Sequence, residues 1–166
     1  MVNQNINMLG MRTIFSAAFL LLLLFTISAS AQRNPVPAIQ RDPVMEADAK
    51  HNLDVAKQAF TPLKQAYKQV LLRFDETFAA YPDFSKMDEF LYIAGMSSFY
   101  LSENKGKQKI DPKNKRDLER FGHDRLVTDA KAFLSMLVDK YPQSKFVEDA
   151  QKGLKEIEAS EAKTSQ

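Results

Sequence analysis

His51 and His123 are the only imidazoles in the 166-residue chain, and no cysteine accompanies them. An imidazole becomes a general base when a carboxylate orients it, and two imidazoles one helical turn apart, as in His-Glu-x-x-His, grip zinc. Here the two stand in separate stretches, "DAKHNL" and "FGHDR", without that spacing. A serine nucleophile would be displayed by Gly-x-Ser-x-Gly, which "GMSSF" at 95–99 does not contain. A phosphate cradle needs Gly-x-x-x-x-Gly-Lys-Ser/Thr, which "NKGKQK" at 104–109 lacks. The carboxylate pairs Asp75-Glu76, Asp88-Glu89 and Glu148-Asp149 have basic neighbours and read as solvated helix surface. Both histidines read as surface or half-buried side chains. No catalytic residue, metal ligand or cofactor is assigned, and the chain reads as a non-enzyme.

The remaining candidates concern contact rather than catalysis. The segment "NKGKQKIDPKNKRD", 104–117, sets six basic side chains, Lys105, Lys107, Lys109, Lys113, Lys115 and Arg116, against two acidic ones. With its Gly and Pro it reads as a solvated loop. Its functional reading is contact with an anionic membrane surface or an acidic partner face, where each Lys or Arg contributes about 1 kcal/mol, weakened by salt. The aromatic residues recur at helical spacing and are mostly core. Tyr92 and Tyr100 stand off the most apolar face of their helix and are candidate anchors for a bound peptide or helix.

Charge and cysteine usage narrow the partners. Residues 32–166 carry 22 Lys plus Arg against 21 Asp plus Glu, a balance that argues against nucleic acid. Residues 1–31 hold one charge, Arg12, followed by the apolar run "TIFSAAFLLLLLFTIS" and the small residues "ASA". That is the pattern of a secretory signal cut between Ala31 and Gln32, with an uncleaved anchor as the alternative reading. Met8 or Met11 is a candidate start. Export points to the periplasm, and without cysteine there is no disulfide and no lipid-attachment thiol, so the chain is not expected to be a lipoprotein.

The elements that must position these residues are helical. After an extended, proline-containing leader, 32–42, Asp42 and Pro43 suit a helix N-terminus, and Ala49, Leu53, Ala56 and Phe60 form one stripe. At Thr61-Pro62 the stripe continues through Leu63, Tyr67, Val70 and Phe74. A proline inside a helix costs about 3 kcal/mol, however, so a break is predicted between helices 43–60 and 62–80, with a kink as the alternative. Tyr81-Pro82 ends the second helix. Ser85, with Asp88 three residues on, reads as the cap of a third helix, 86–103, apolar around most of its circumference and hence central. After the basic loop a fourth helix runs over about 117–140 to Tyr141-Pro142. Ser144 opens the fifth, 144–160, and 161–166 frays. No two-residue alternation suggests strands, so the fold class is all-α.

Tyr-Pro closes a helix twice. Aligning Pro82 with Pro142 superposes Val70 on Ala130, Phe74 on Leu134 and Phe78 on Val138, the same ridge of one helix used twice. A helix covered by its predecessor and turning directly into its successor is the unit of a short α-solenoid of about five antiparallel helices. Ala130 and "IAGMSS" at 93–98 supply small residues for a close approach between facing helices. Gly95 with "AKAFLSMLVDKYP", 130–142, resembles the tetratricopeptide repeat. The run "DAKAFLSMLVDKYPQSKFVEDAQKGL" resembles the BamD-like periplasmic family of outer-membrane assembly. The resemblance covers about 43–160 and is clearest over 126–157. It implies an exported, non-enzymatic scaffold that binds other envelope proteins, as a component or accessory of outer-membrane protein assembly. The alternative is an adaptor that associates with copies of itself and organises the envelope.

Overall fold

The structure is a computed structural model that describes residues 41–164; the predicted signal segment, 1–31, the leader up to 40, and residues 165–166 lie outside the described residues. Six helices follow in order: α1 Pro43–Phe60, α2 Tyr67–Ala80, α3 Met87–Ser102, α4 Lys115–Phe121, α5 His123–Lys140 and α6 Val147–Thr164. The five long ones are those the sequence predicts, and no strand occurs among the described residues. Neighbours in the chain pack as antiparallel hairpins, α1 on α2, α2 on α3, α3 on α5 and α5 on α6.

α1 starts as its sequence dictates. The Asp42 carboxylate accepts from Val44 N at 2.8 Å and Met45 N at 3.3 Å, and Pro43 fills the first turn. The predicted break at Thr61-Pro62 is present, but α2 begins at Tyr67 rather than at 62. Thr61 closes α1 by donating its hydroxyl to Gln58 O at 2.9 Å, and Gln65 turns left-handed at φ 47°. The turn then folds back so that Ala66 N donates to Ala59 O at 2.8 Å. Leu63, expected on the buried stripe, is therefore 80 % exposed.

The two Tyr-Pro corners are the same structure. In the first, Tyr81 N donates to Thr77 O, Phe84 N to Tyr81 O and Met87 N to Phe84 O; in the second, Tyr141 N donates to Leu137 O, Ser144 N to Tyr141 O and Val147 N to Ser144 O. Each corner is clipped by a carboxylate from the first turn of an earlier helix. Glu46 of α1 accepts from Ser85 N at 3.2 Å, and Asp88 of α3 accepts from Ser144 Oγ at 2.6 Å. The predicted cap of α3 is thus corrected. Lys86 holds the N-cap position without a side-chain bond, and Asp88 turns to the second corner instead of boxing with Ser85. The phenols of Tyr81 and Tyr141 are raised above the ordinary tyrosine value, first by burial and next by these same carboxylates, Glu46 and Asp88.

α3 is the shared wall. Met87, Phe90, Leu91, Ile93, Ala94, Met96, Phe99 and Leu101 are all buried, and α3 touches α1, α2, α5 and α6. Val70 and Ala130, the small or slim positions of the repeated ridge, are fully buried, as are Phe74 and Leu134 beside them. The deepest approach is at Gly95. A methyl there would lie 2.7 Å from Leu134 Cγ and 3.4 Å from the Ala130 carbonyl oxygen. Glycine in a helix costs roughly 0.5–1 kcal/mol against alanine, and the close approach is what offsets it.

Two further expectations are corrected. Residues 115–117 of the predicted loop begin α4, because Asn114 accepts from Arg116 N at 3.1 Å and from Asp117 N at 3.3 Å as an N-cap. Gly122 then interrupts what the sequence presents as one helix from 117 to 140. A Cβ on it would lie 2.7 Å from Leu118 O. The predicted fraying of 161–166 also differs, since α6 continues through Thr164.

Replacing Gly95 with Leu should overpack the α3–α5 contact and lower stability by about 1–3 kcal/mol in chemical denaturation. An unchanged midpoint would show that the approach is not tight.

Candidate docking site

The helix ends meet in two sets. At one set lie the Tyr-Pro corners; at the other lie the α1–α2 turn, the end of α3 and the segment 104–114. The second set holds the clearest binding geometry. Phe60 closes α1, Tyr67 opens α2 and Tyr100 lies in the last turn of α3. Their ring centroids are 6.0 Å apart for Phe60–Tyr67, 6.3 Å for Phe60–Tyr100 and 5.5 Å for Tyr67–Tyr100. With Pro62, Gln65, Lys105 and Gly106 they line an open recess of about 570 Å³. Burial pushes the phenols of Tyr67 and Tyr100 above the ordinary value, Tyr67 also by Tyr100 and Tyr100 also by Glu156. Both therefore remain neutral donors at physiological pH.

The basic segment forms one wall of this recess, and its early lysines are spent on holding it there. Lys107 N donates to Gln65 O at 3.1 Å, and its ammonium donates to Leu63 O at 2.5 Å. Gln108 accepts from Gln69 N at 3.1 Å, sharing an amide of the first turn of α2 that also donates to Ala66 O at 3.0 Å. Gly106 sits at φ 99° directly under the Tyr67 ring, where a Cβ would lie 2.7 Å from Cδ2; only glycine fits. Lys109 donates to Asn104 O at 2.8 Å. Lys105 lies 5.6 Å from the centroids of both Phe99 and Tyr100 and brings a cation to the recess edge.

The rest of the segment is tied to α2 by ion pairs. Asp117 accepts from Lys68 Nζ at 2.5 Å and from Asp111 N at 2.9 Å. Arg120 spans Asp75 at 2.5 Å and Asp129 at 3.1 Å. Lys115 reaches Glu119 only at 3.7 Å and its side chain is 88 % exposed. Lys113 and Arg116 use their backbone amides locally, and their side chains have no partner among the described residues.

The two tyrosines singled out by sequence part company. Tyr100 lines the recess, whereas Tyr92 stacks on Phe146 at 5.2 Å and 17° and joins α3 to the corner before α6. Phe60 and Tyr67 complete the recess while also serving the core that their place on the apolar stripe predicts, Tyr67 buried and Phe60 half-buried against it. Nothing in that pattern distinguishes a ring at the end of a stripe from one in its middle.

The imidazoles do no visible chemistry. His51 is exposed, and His123 Nδ1 lies 3.2 Å from Ser102 O, a carbonyl rather than a carboxylate. No group of three His, Cys, Asp or Glu suited to a metal occurs among the described residues, and no helix among them is long and apolar enough to cross a membrane.

A family model described as outer membrane lipoprotein, YfiO, matches residues 30–164. The chain belongs to the YfiO family. This is the BamD-like, tetratricopeptide family whose resemblance the Tyr-Pro repeats carry, and it makes the chain a non-enzymatic scaffold of outer-membrane protein assembly that works by binding partner proteins. YfiO-family proteins act on the periplasmic side, at the outer membrane. The family description names a lipoprotein, whereas these 166 residues contain no thiol to carry a lipid. No curated protein and no solved structure matches the chain significantly.

The Asp117 carboxyl is held below its ordinary value, first by the Asp111 amide and then by the bond from Lys68. Its contribution is present above the ordinary carboxylate range and is lost as pH falls through the lowered value. The Asp111 amide resonance should therefore hold its position down to about pH 4 and move only below it. In Asp117→Asn the acid shift should shrink to the part that the Asp111 side chain itself causes.

Proposed function

We propose that this scaffold holds an envelope protein by taking an apolar side chain of it, flanked by a carboxylate, into the recess of Phe60, Tyr67 and Tyr100. The supporting observation is the recess itself, three mutually packed rings left open at the chain-reversal end of the array, with Lys105 at its edge. Phe60 and Tyr100 are half-buried and keep ring surface open above the buried Tyr67, and rings so placed in a concave site bury apolar area on binding at little cost in conformational entropy. Leu63, standing exposed beside Pro62, extends the apolar surface. Residues 1–31 act in this proposal as the export signal that delivers 43–160 to the envelope.

The exposed cations Lys113, Lys115 and Arg116 favour a second contact, with an anionic membrane surface, that would orient the recess toward an outer-membrane partner. Self-association is the competing reading.

A photo-crosslinking residue at Leu63 should capture a specific envelope protein in intact cells, and Tyr100→Ala should reduce that capture about tenfold, the loss expected of a central aromatic anchor worth over 1 kcal/mol. Equal capture by wild type and Tyr100→Ala would refute the recess. Crosslinks only to further copies of this chain would establish the self-associating adaptor instead.

A further inference from the structure

A second recess, of about 340 Å³, opens between the end of α3, the start of α5 and the last turns of α6. Its floor is apolar: Phe99 and Ile157 are buried and Val127 is half-buried. Its rim is acidic, carrying Glu103, Asp124 and Glu161. Lys131 neutralises Glu161 at 2.5 Å, but the other two carboxylates meet no cation among the described residues. Glu103 is instead held in place by the neutral hydroxyl of Ser160, which donates to Oε1 at 2.8 Å. Asp124 stands in the first turn of α5, where its charge also answers the amide ends of that helix. His123 lines the same wall, its Nδ1 turned to the Ser102 carbonyl at 3.2 Å.

We propose that this recess takes a lysine or arginine side chain presented by a partner protein. The wall offers acceptors in excess of donors and negative charge in excess of positive, which disfavours a carboxylate or phosphate. A long basic side chain satisfies both halves of the site, its methylene stem lying on Phe99, Val127 and Ile157 while its head bonds Glu103 and Asp124. The described residues around it hold no three-ligand metal cluster, so a cation with an apolar stem fits better than a bare ion. This site is separate from the aromatic recess and of opposite charge, so that one end of the array would read a partner at two points of different sign. Such an arrangement fixes orientation and rejects partners with the reversed pattern.

The probe is the blocked dipeptide acetyl-Leu-Arg-amide, titrated into the full chain and followed by amide NMR shifts, with acetyl-Leu-citrulline-amide as its uncharged twin. The arginine peptide should move the amides of Glu103, His123, Asp124 and Ile157 with a Kd of about 1 mM, and citrulline should weaken binding at least about fivefold. Glu103→Gln with Asp124→Asn, which keep shape and hydrogen-bonding capacity, should weaken the arginine peptide similarly in a chain that stays folded, its thermal midpoint lower by about a few degrees for the charge lost at the start of α5. Raising salt should weaken it in wild type only. Equal affinity for both peptides, shifts confined to the aromatic recess, no binding, or no effect of the double variant would each overturn the proposal. So would concentration-dependent shifts of the same amides without peptide that vanish in Lys113→Ser with Arg116→Ser, because a second copy would then be the occupant.

Discussion

Two helices cannot come as close as α3 and α5 do unless one of them gives up a side chain, and here that residue is Gly95. Leu134 and the backbone of Ala130 occupy the space its Cβ would need. Everything else in the array follows from α3 being able to lie so deep. Buried around nearly its whole circumference, α3 is the partner of both α1–α2 and α5–α6, and the two hairpins share one core rather than having one each. In a solenoid of only two repeats this matters, because a single hairpin buries too little apolar surface to stand alone.

The recurrence of Tyr-Pro has a physical explanation at the corners. Proline ends the helix, the tyrosine amide closes its last turn, and a carboxylate one helix hairpin earlier reaches across to hold the following turn. Glu46 does so for the first corner and Asp88 for the second. Together with burial, the charge of those same carboxylates helps hold the Tyr81 and Tyr141 phenols above the ordinary tyrosine value. Each corner is thus a clip between an odd-numbered helix and the next corner-opened helix, α1 to α3 and α3 to α6. The clip carries the stacking from one repeat to the next while α3 fills the space between them.

The all-α class, five of the helices, the central place of α3 and the burial of Val70 and Ala130 were legible because apolar spacing and proline positions are local signals. The extent of the α1–α2 turn was not. Val-type periodicity ran unbroken through Leu63, and only the left-handed Gln65 and its bond back to Ala59 show that the stripe is interrupted. Ser85 misled because it has the spacing of a capping box, while the partner that wins Asp88 is Ser144, far along the chain. Of the candidate binding residues, Tyr100 and Lys105 line the recess, whereas Tyr92 serves helix packing and Lys107 and Lys109 serve the fold of their own segment. A lysine count measures charge; it does not say which ammonium groups already have carbonyl partners.

Rigid positioning of the binding end depends on α3 making one cooperative unit of the two hairpins. Native-state hydrogen exchange across a denaturant series measures that coupling directly. Amides of Ile93–Ser98 in α3 and those around Phe74 and Leu134 in the flanking helices should open with a common free energy equal to that of global unfolding. Loss of protection in α1–α2 at clearly lower denaturant than in α5–α6 would contradict the account, since each hairpin would then be folding on its own.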